Sequence, residues 1–186
     1  MTTTESFDAT ETKFHGLLDE QVRSELTASQ QYLAIAVYFD GADLPQLAKL
    51  FYRQSVEERN HAMMLVQYFI DRDVLVEIPA VDPVRNGFQT PRDALGLALD
   101  SERAVTEQFS RLASTARDEG DYLGEQFVQW FLKEQVEEVA LMTTLVRIAD
   151  RAGADLFHLE DFVAREIATP TGEPVAPKAA GGAPQS

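Results

Sequence analysis

Four stretches of this chain carry residues at alternating four- and three-residue steps, and each resulting stripe turns polar near its middle. The stripes run from Leu18 to Phe39, Leu47 to Tyr68, Leu95 to Ala116 and Val128 to Ala149. Such steps place a stripe on one face of a helix, the face that packs inward in a bundle. The interruptions are Glu25 and Ser29 in the first stripe, and Gln54, Glu58 and His61 in the second. They are Glu102 in the third, and Gln135 and Glu138 in the fourth. An all-α four-helix bundle built this way points four carboxylates into its core near one level. Burying an unpaired carboxylate costs several kcal/mol, so a cation is needed there. A pair of metal ions meets that need most economically.

Helix boundaries follow from capping chemistry. The first helix is predicted from about Thr12 to Asp40, broken by Gly41, Ala42 and Asp43. Asp43 is expected to cap the second helix, with Pro45 in its first turn, and that helix should end near Arg72. Thr90 and Pro91 open the third helix as N-cap and first residue. Gly120 stops it and Asp121 starts the fourth, which ends at Gly153. A short fifth helix from Asp155 to about Ile167 carries Leu156, Leu159, Phe162 and Val163 on one side.

The connections are unequal. Those between the first and second helices, and between the third and fourth, are short, so each pair is an antiparallel hairpin. Between the second and third lie 18 residues, Asp73 to Thr90. A 28-residue helix is about 42 Å long, and 18 extended residues reach about 59 Å. The loop can cross the whole bundle and set the third helix parallel to the second. Three regions result: a flexible N-terminus (1–11), a bundle domain (12–167) and a Pro/Gly/Ala-rich tail (168–186). The tail is expected to be disordered, with a docking peptide for a partner or an encapsulating shell as the sharper alternative.

Composition narrows the function. A net charge of −15 argues against a nucleic-acid partner. No run approaches the ~20 apolar residues of a membrane span, and the N-terminus lacks the basic and apolar regions of a secretory signal, so a cytoplasmic location is expected. With no cysteine, any metal must be held by oxygen and nitrogen. Carboxylate and imidazole suit iron or manganese, and zinc as well.

The two hairpins echo each other. Glu25 precedes Glu58 by 33 residues and Glu102 precedes Gln135 by 33. The run Glu57, Glu58, Arg59, Asn60, His61 then aligns with Glu134, Gln135, Val136, Glu137, Glu138. Glu58 and His61 stand at i and i+3, where both can reach one ion. That pair alone is common by chance; joined to the acids of three other helices it reads as a metal site.

Together with Tyr32, seven residues after Glu25, and the run from Trp130 to Glu138, these motifs resemble the ferritins, specifically the bacterial non-heme type, over about residues 12–166. The resemblance implies that Glu25, Glu58 and His61 hold a first iron, and that Glu58 bridges to a second held with Glu102, near Gln135. It implies a third iron site at Glu57, Glu134, Glu137 and Glu138, and a role for Tyr32 as hydrogen-bond partner and electron donor. It also implies ferroxidase activity with ferrous iron and dioxygen as substrates, and storage of ferric oxyhydroxide in a homo-oligomeric cage of 24 subunits. In such a cage the fifth helix lines four-fold contacts, and Glu125 is a candidate pore acid.

Bacterioferritins differ at two positions. Their second half reads Glu-x-x-His where this chain has Gln135 and Glu138, and their heme-binding methionine falls where this chain has Arg59. No heme is therefore expected, and Met63 and Met64 are assigned to packing. Trp130 and Phe131 are likewise expected to pack, and His15 and His158 to lie at a surface or interface. A rubrerythrin-like oxidase would want Glu-x-x-His in both halves. A metal-free bundle would leave several core acids unexplained.

Overall fold

A computed structural model of the chain describes residues 12–153, 155–167 and 176–182. The expected flexible N-terminus, and residues 168–175 and 183–186 of the tail, lie outside the described residues. The elements are helical: α1 (Lys13–Gly41), α2 (Pro45–Asp71), α3 (Pro91–Glu119), α4 (Tyr122–Ala152) and α5 (Leu156–Phe162), which continues as a π-helical turn, Val163–Ile167. The fold is the expected all-α four-helix bundle with a short C-terminal helix.

Three helix starts carry local side-chain caps, of which the Thr90 cap was read from the sequence. Thr12 accepts from the His15 amide, Thr90 from Asp93 and Asp121 from Gly124. The start of α2 corrects the expectation. Asp43 does not cap it; Asp43 lies in the left-handed region at φ 57°, and closes α1 instead. The Leu44 amide reaches back to the Phe39 carbonyl at 3.0 Å, the six-to-one bond of a Schellman ending. The end of α2 repeats the device, with Asp73 at φ 55° and the Val74 amide on the Phe69 carbonyl at 3.0 Å. A short polar side chain tolerates this conformation better than a branched one, which is how aspartate stands where glycine is usual.

The start of α2 is capped from elsewhere. Glu160 of α5 accepts from the amides of Gln46 and Leu47 at 2.8 and 2.9 Å. Glu119, at the end of α3, does the same for Lys13 and Phe14 of α1, at 3.0 and 3.1 Å. Each carboxylate sits at the positive end of a helix dipole and satisfies amides that the helix cannot.

These contacts fix the topology. The start of α1 lies beside the end of α3. The long connection climbs the flank of α1: the Asp82 amide donates to Thr27, Arg85 exchanges two 2.8 Å bonds with Gln31, and Phe88 meets Tyr38 at 5.1 Å. It therefore delivers α3 parallel to α2. The core divides into two apolar clusters. One gathers Phe39, Phe51, Leu95 and Leu145 with Leu159 and Val163 of the C-terminal helix. The other gathers Phe14, Leu18, Leu65, Phe109 and Phe131. The polar positions of the four stripes lie in sequence between the two. Among the described residues no helix is long and apolar enough to cross a membrane.

Part of the apolar side of α5 is spent within the chain, since Leu159 and Val163 are buried, whereas Phe157 is fully out in solvent. Residues 176–182 of the tail lie against α2. The Ala180 amide donates to the Met63 carbonyl at 3.0 Å, and Ala176 and Ala179 pack on the second cluster.

Candidate metal centre

Three side chains converge where the stripes turn polar. One ligand atom each from Glu25, Glu58 and His61 lies within 4.8 Å of the others, and all three residues are buried. Among the described residues they are the one group of three or more histidines or acids drawn this close. His61 Nδ1 stands 3.2 Å from Glu58 Oε2 and 4.0 Å from Glu25 Oε2. The ring is held edge-on between Trp130 and Phe131, each 5.8 Å away. Those two aromatics pack as expected and also fix the imidazole.

Glu25 is wholly buried, and only one of its oxygens has a partner. Gln21 donates to Oε1 at 2.8 Å, while Oε2 has no hydrogen bond. Burial, and then the neighbouring Glu58 charge, push Glu25 well above the usual carboxylate range. Burial, and then Glu102, do the same to Glu58. Among the described residues no lysine or arginine ion pair reaches Glu25, Glu58, Glu102 or Glu138. Such a group is poorly satisfied alone and is well matched to a hard divalent cation.

The second half of the site is differently arranged. Glu102 is buried, but both its oxygens are engaged: Tyr32 donates its hydroxyl to Oε1, and Gln135 donates to Oε2 at 2.9 Å. Gln135 Nε2 also lies 3.1 Å from the Glu102 carbonyl and 3.4 Å from the Thr106 hydroxyl. Tyr32 is wholly buried, and burial and the Glu102 charge hold its phenol well above its ordinary value of 10.0. It therefore stays a donor.

Glu138 is pushed up to about 8 by burial, then by Glu102 and Glu57. Its Oε1 lies 3.4 Å from the Gln54 amide, which also donates to Glu57, and its Oε2 has no partner. Of the residues expected at a third site, Glu57 and Glu138 are thus brought together, whereas Glu137 lies on the exposed side of α4 and Glu134 is half-buried. Arg59 is exposed, Met64 is buried in the second cluster, and Met63 packs against it.

Of the polar residues beside the site, Gln21 was not singled out from the sequence, and Gln54 was read only as a polar position of its stripe. Their signal was present, because each stands four residues before a buried acid, Glu25 and Glu58, and they are themselves 33 residues apart. His15 is more enclosed than expected: both ring nitrogens are shielded and without a partner, with Phe14 and Phe69 each 5.9 Å away. His158 is exposed beside Asp155, and Glu125 pairs with Arg117.

The ferritin-like domain family matches residues 16–152. The chain belongs to the ferritin family. It is 76% identical to ferritin BfrB of Mycolicibacterium smegmatis over 94% of this chain and 97% of that one. It is 67% identical to a protein of Mycobacterium tuberculosis named bacterioferritin BfrB, over 95% and 97%. Among solved structures it resembles an open-pore ferritin from the archaeon Archaeoglobus fulgidus, with a TM-score of 0.79 and 28% identity over 83% of this chain and 96% of that one. Membership in this family makes iron storage the general function, and the buried carboxylate–histidine group is the candidate metal site.

Proposed function

We propose that this ferritin is a ferroxidase that oxidises ferrous iron with dioxygen and stores the product as ferric oxyhydroxide inside a cytoplasmic, homomeric cage of 24 subunits. The observation that supports this most is the convergence of Glu25, Glu58 and His61, buried, with ligand atoms within 4.8 Å. In this reading they bind one ferrous ion, and Glu58 is shared with a second ion taken by Glu102 beside Gln135. Each ion gives one electron, so one dioxygen takes two electrons and, with two protons, leaves as hydrogen peroxide. The carboxylates favour the ferric product because hard oxygen donors gain most from the higher charge. Tyr32 orients Glu102 and stands ready to donate an electron. Gln135 is neutral and already committed to Glu102, so the second ion is held loosely and its ferric product can leave. Glu57 and Glu138, with Glu134 and Glu137, form a third site on the way out. Heme has no part in this reading, because Arg59 stands where a methionine ligand would be needed; the purified protein should show no Soret absorption.

The test is aerobic loading with excess ferrous salt, followed by size exclusion with iron and protein read together. Iron eluting with a very large particle, far above three ions per chain, supports storage in a cage. Iron held at two per chain on a small oligomer would make the protein a di-iron oxidase instead.

A further inference from the structure

Gln21 links two features of the structure that the site ligands do not account for. It is a buried amide, 2% exposed, one helical turn before Glu25 on α1, and it donates to Glu25 Oε1 at 2.8 Å. It also lines a cavity of about 90 Å³ between α1 and α3, with Ser24, Gln108 and Arg111 among the other walls. We propose that Gln21 is a positioning residue for cation capture, resting on the reading of Glu25, Glu58 and His61 as an ion site.

The argument begins with the two oxygens of Glu25. A lone buried carboxylate can rotate and share its charge between both. Here the Gln21 amide occupies Oε1, and Oε2 is left without a hydrogen bond, 4.0 Å from His61 Nδ1 and inside the close group with Glu58. The free oxygen is therefore the one presented to the ion. The other hairpin shows what happens without this device. Four residues before Glu102 stands Ala98, which has no donor to give, and Glu102 is held on both oxygens by Tyr32 and Gln135 from other helices. Groups that orient a ligand typically change metal affinity by about 10–100-fold when removed. The cavity matters because it lets this wall be altered without filling the site: Gln108 lines the same space from α3, and its Oε1 is buried without a partner.

The experiment is anaerobic titration of the assembled, iron-free protein with cobalt(II), followed by its visible ligand-field absorption. Gln21→Met keeps length and removes the donor. It should weaken the tightest cobalt site by about 10–100-fold and change the spectrum at saturation, because Glu25 is then free to use either oxygen. Gln108→Met, which alters the same cavity from the far wall, should match the unmodified protein in both. If Gln21→Met fails to assemble, Gln21→Asn keeps the amide but is too short to reach Glu25, and serves in its place. Unchanged affinity and spectrum in the Gln21 variants overturn the inference. Weakened affinity with the saturated spectrum unchanged also overturns it, since that is what general destabilisation gives. Glu58→Ala separates the two levels: if it leaves cobalt binding intact, the ion-site reading itself fails, whatever Gln21 does.

Discussion

The two hairpins of this ferritin carry the same sequence plan and arrive at different electrostatics. In α1 and α2, Glu25, Glu58 and His61 crowd together, and Glu25 keeps an oxygen without a partner. In α3 and α4, Glu102 has donors on both oxygens, one an amide where the first hairpin has an acid. The first hairpin is left in need of a positive charge. In the second, Glu102 is satisfied by the protein, and the oxygen without a partner belongs to Glu138 instead. One half should therefore grip an ion and the other pass one on, an asymmetry that suits a turnover site better than a permanent cofactor site.

The largest break in that comparison is Glu58→Ala. Glu58 belongs to the tight group and is also close enough to Glu102 to feel its charge. Its loss should slow the initial rate of ferrous oxidation by about 100-fold or more, above the usual effect of losing a supporting residue. Assembly, read by size exclusion, should be intact. A normal initial rate would take Glu58 out of the site.

Next in size is Gln135→Glu, which gives the second hairpin the acid that the first has at Glu58. A further anionic ligand should raise retention of the second ion by about tenfold, since ligand charge count tunes affinity. Ferric product should then clear more slowly. Counting ions per chain after desalting checks this, and an unchanged count would mean that Gln135 does not set the looseness of that half.

A pH titration sharpens the same contrast without mutation. Glu138 in the folded chain is raised to about 8 from its ordinary 4.5, and Glu25 and Glu58 are raised as well. A raised folded value means protons favour the fold. The stabilising contribution is whole below about 4.5, and is lost as pH climbs through about 8. The ion-free protein should therefore melt at progressively lower temperature across that window. Saturating zinc should flatten or reverse the trend, because the ion replaces the protons. A melting temperature of the ion-free protein that rises through the window would contradict the burial of these acids.

Much of this was legible in the sequence because it is local or periodic. Thr90 and Pro91 name the start of α3 by themselves, and Glu58 with His61 share a helical face by spacing alone. The 18-residue connection announces its own crossing by length. What escaped has a common cause: it depends on which helices become neighbours. Glu102 is as acidic in sequence as Glu25, and nothing local says that Tyr32 and Gln135 will satisfy it. Asp43 looks like a cap by composition, yet the chain uses it in the left-handed region to close α1. Gln21 was overlooked because an amide on a helix face is usually solvated, and its repeat with Gln54 gains meaning only beside a buried acid.

The smallest prediction concerns the two caps that come from afar. Glu119 covers the start of α1, and Glu160 covers the start of α2, each with two bonds to backbone amides. The starts are not equivalent. Thr12 already accepts one amide of α1, whereas Leu44 gives α2 no side-chain cap. Replacing Glu119 by alanine leaves a helix with a partial local substitute; replacing Glu160 leaves one with none. A lost cap costs about 0.5–2 kcal/mol, so Glu119→Ala should fall near the lower end and Glu160→Ala near the upper. Glu160 has a second consequence, because its bonds help tie α5 to the bundle. Guanidinium unfolding of both variants, with assembly followed in parallel, tests the ranking. Equal losses would mean that Thr12 contributes nothing to the start of α1. A larger loss for Glu119→Ala would mean that α2 draws its stability from packing alone and that the Glu160 bonds are incidental.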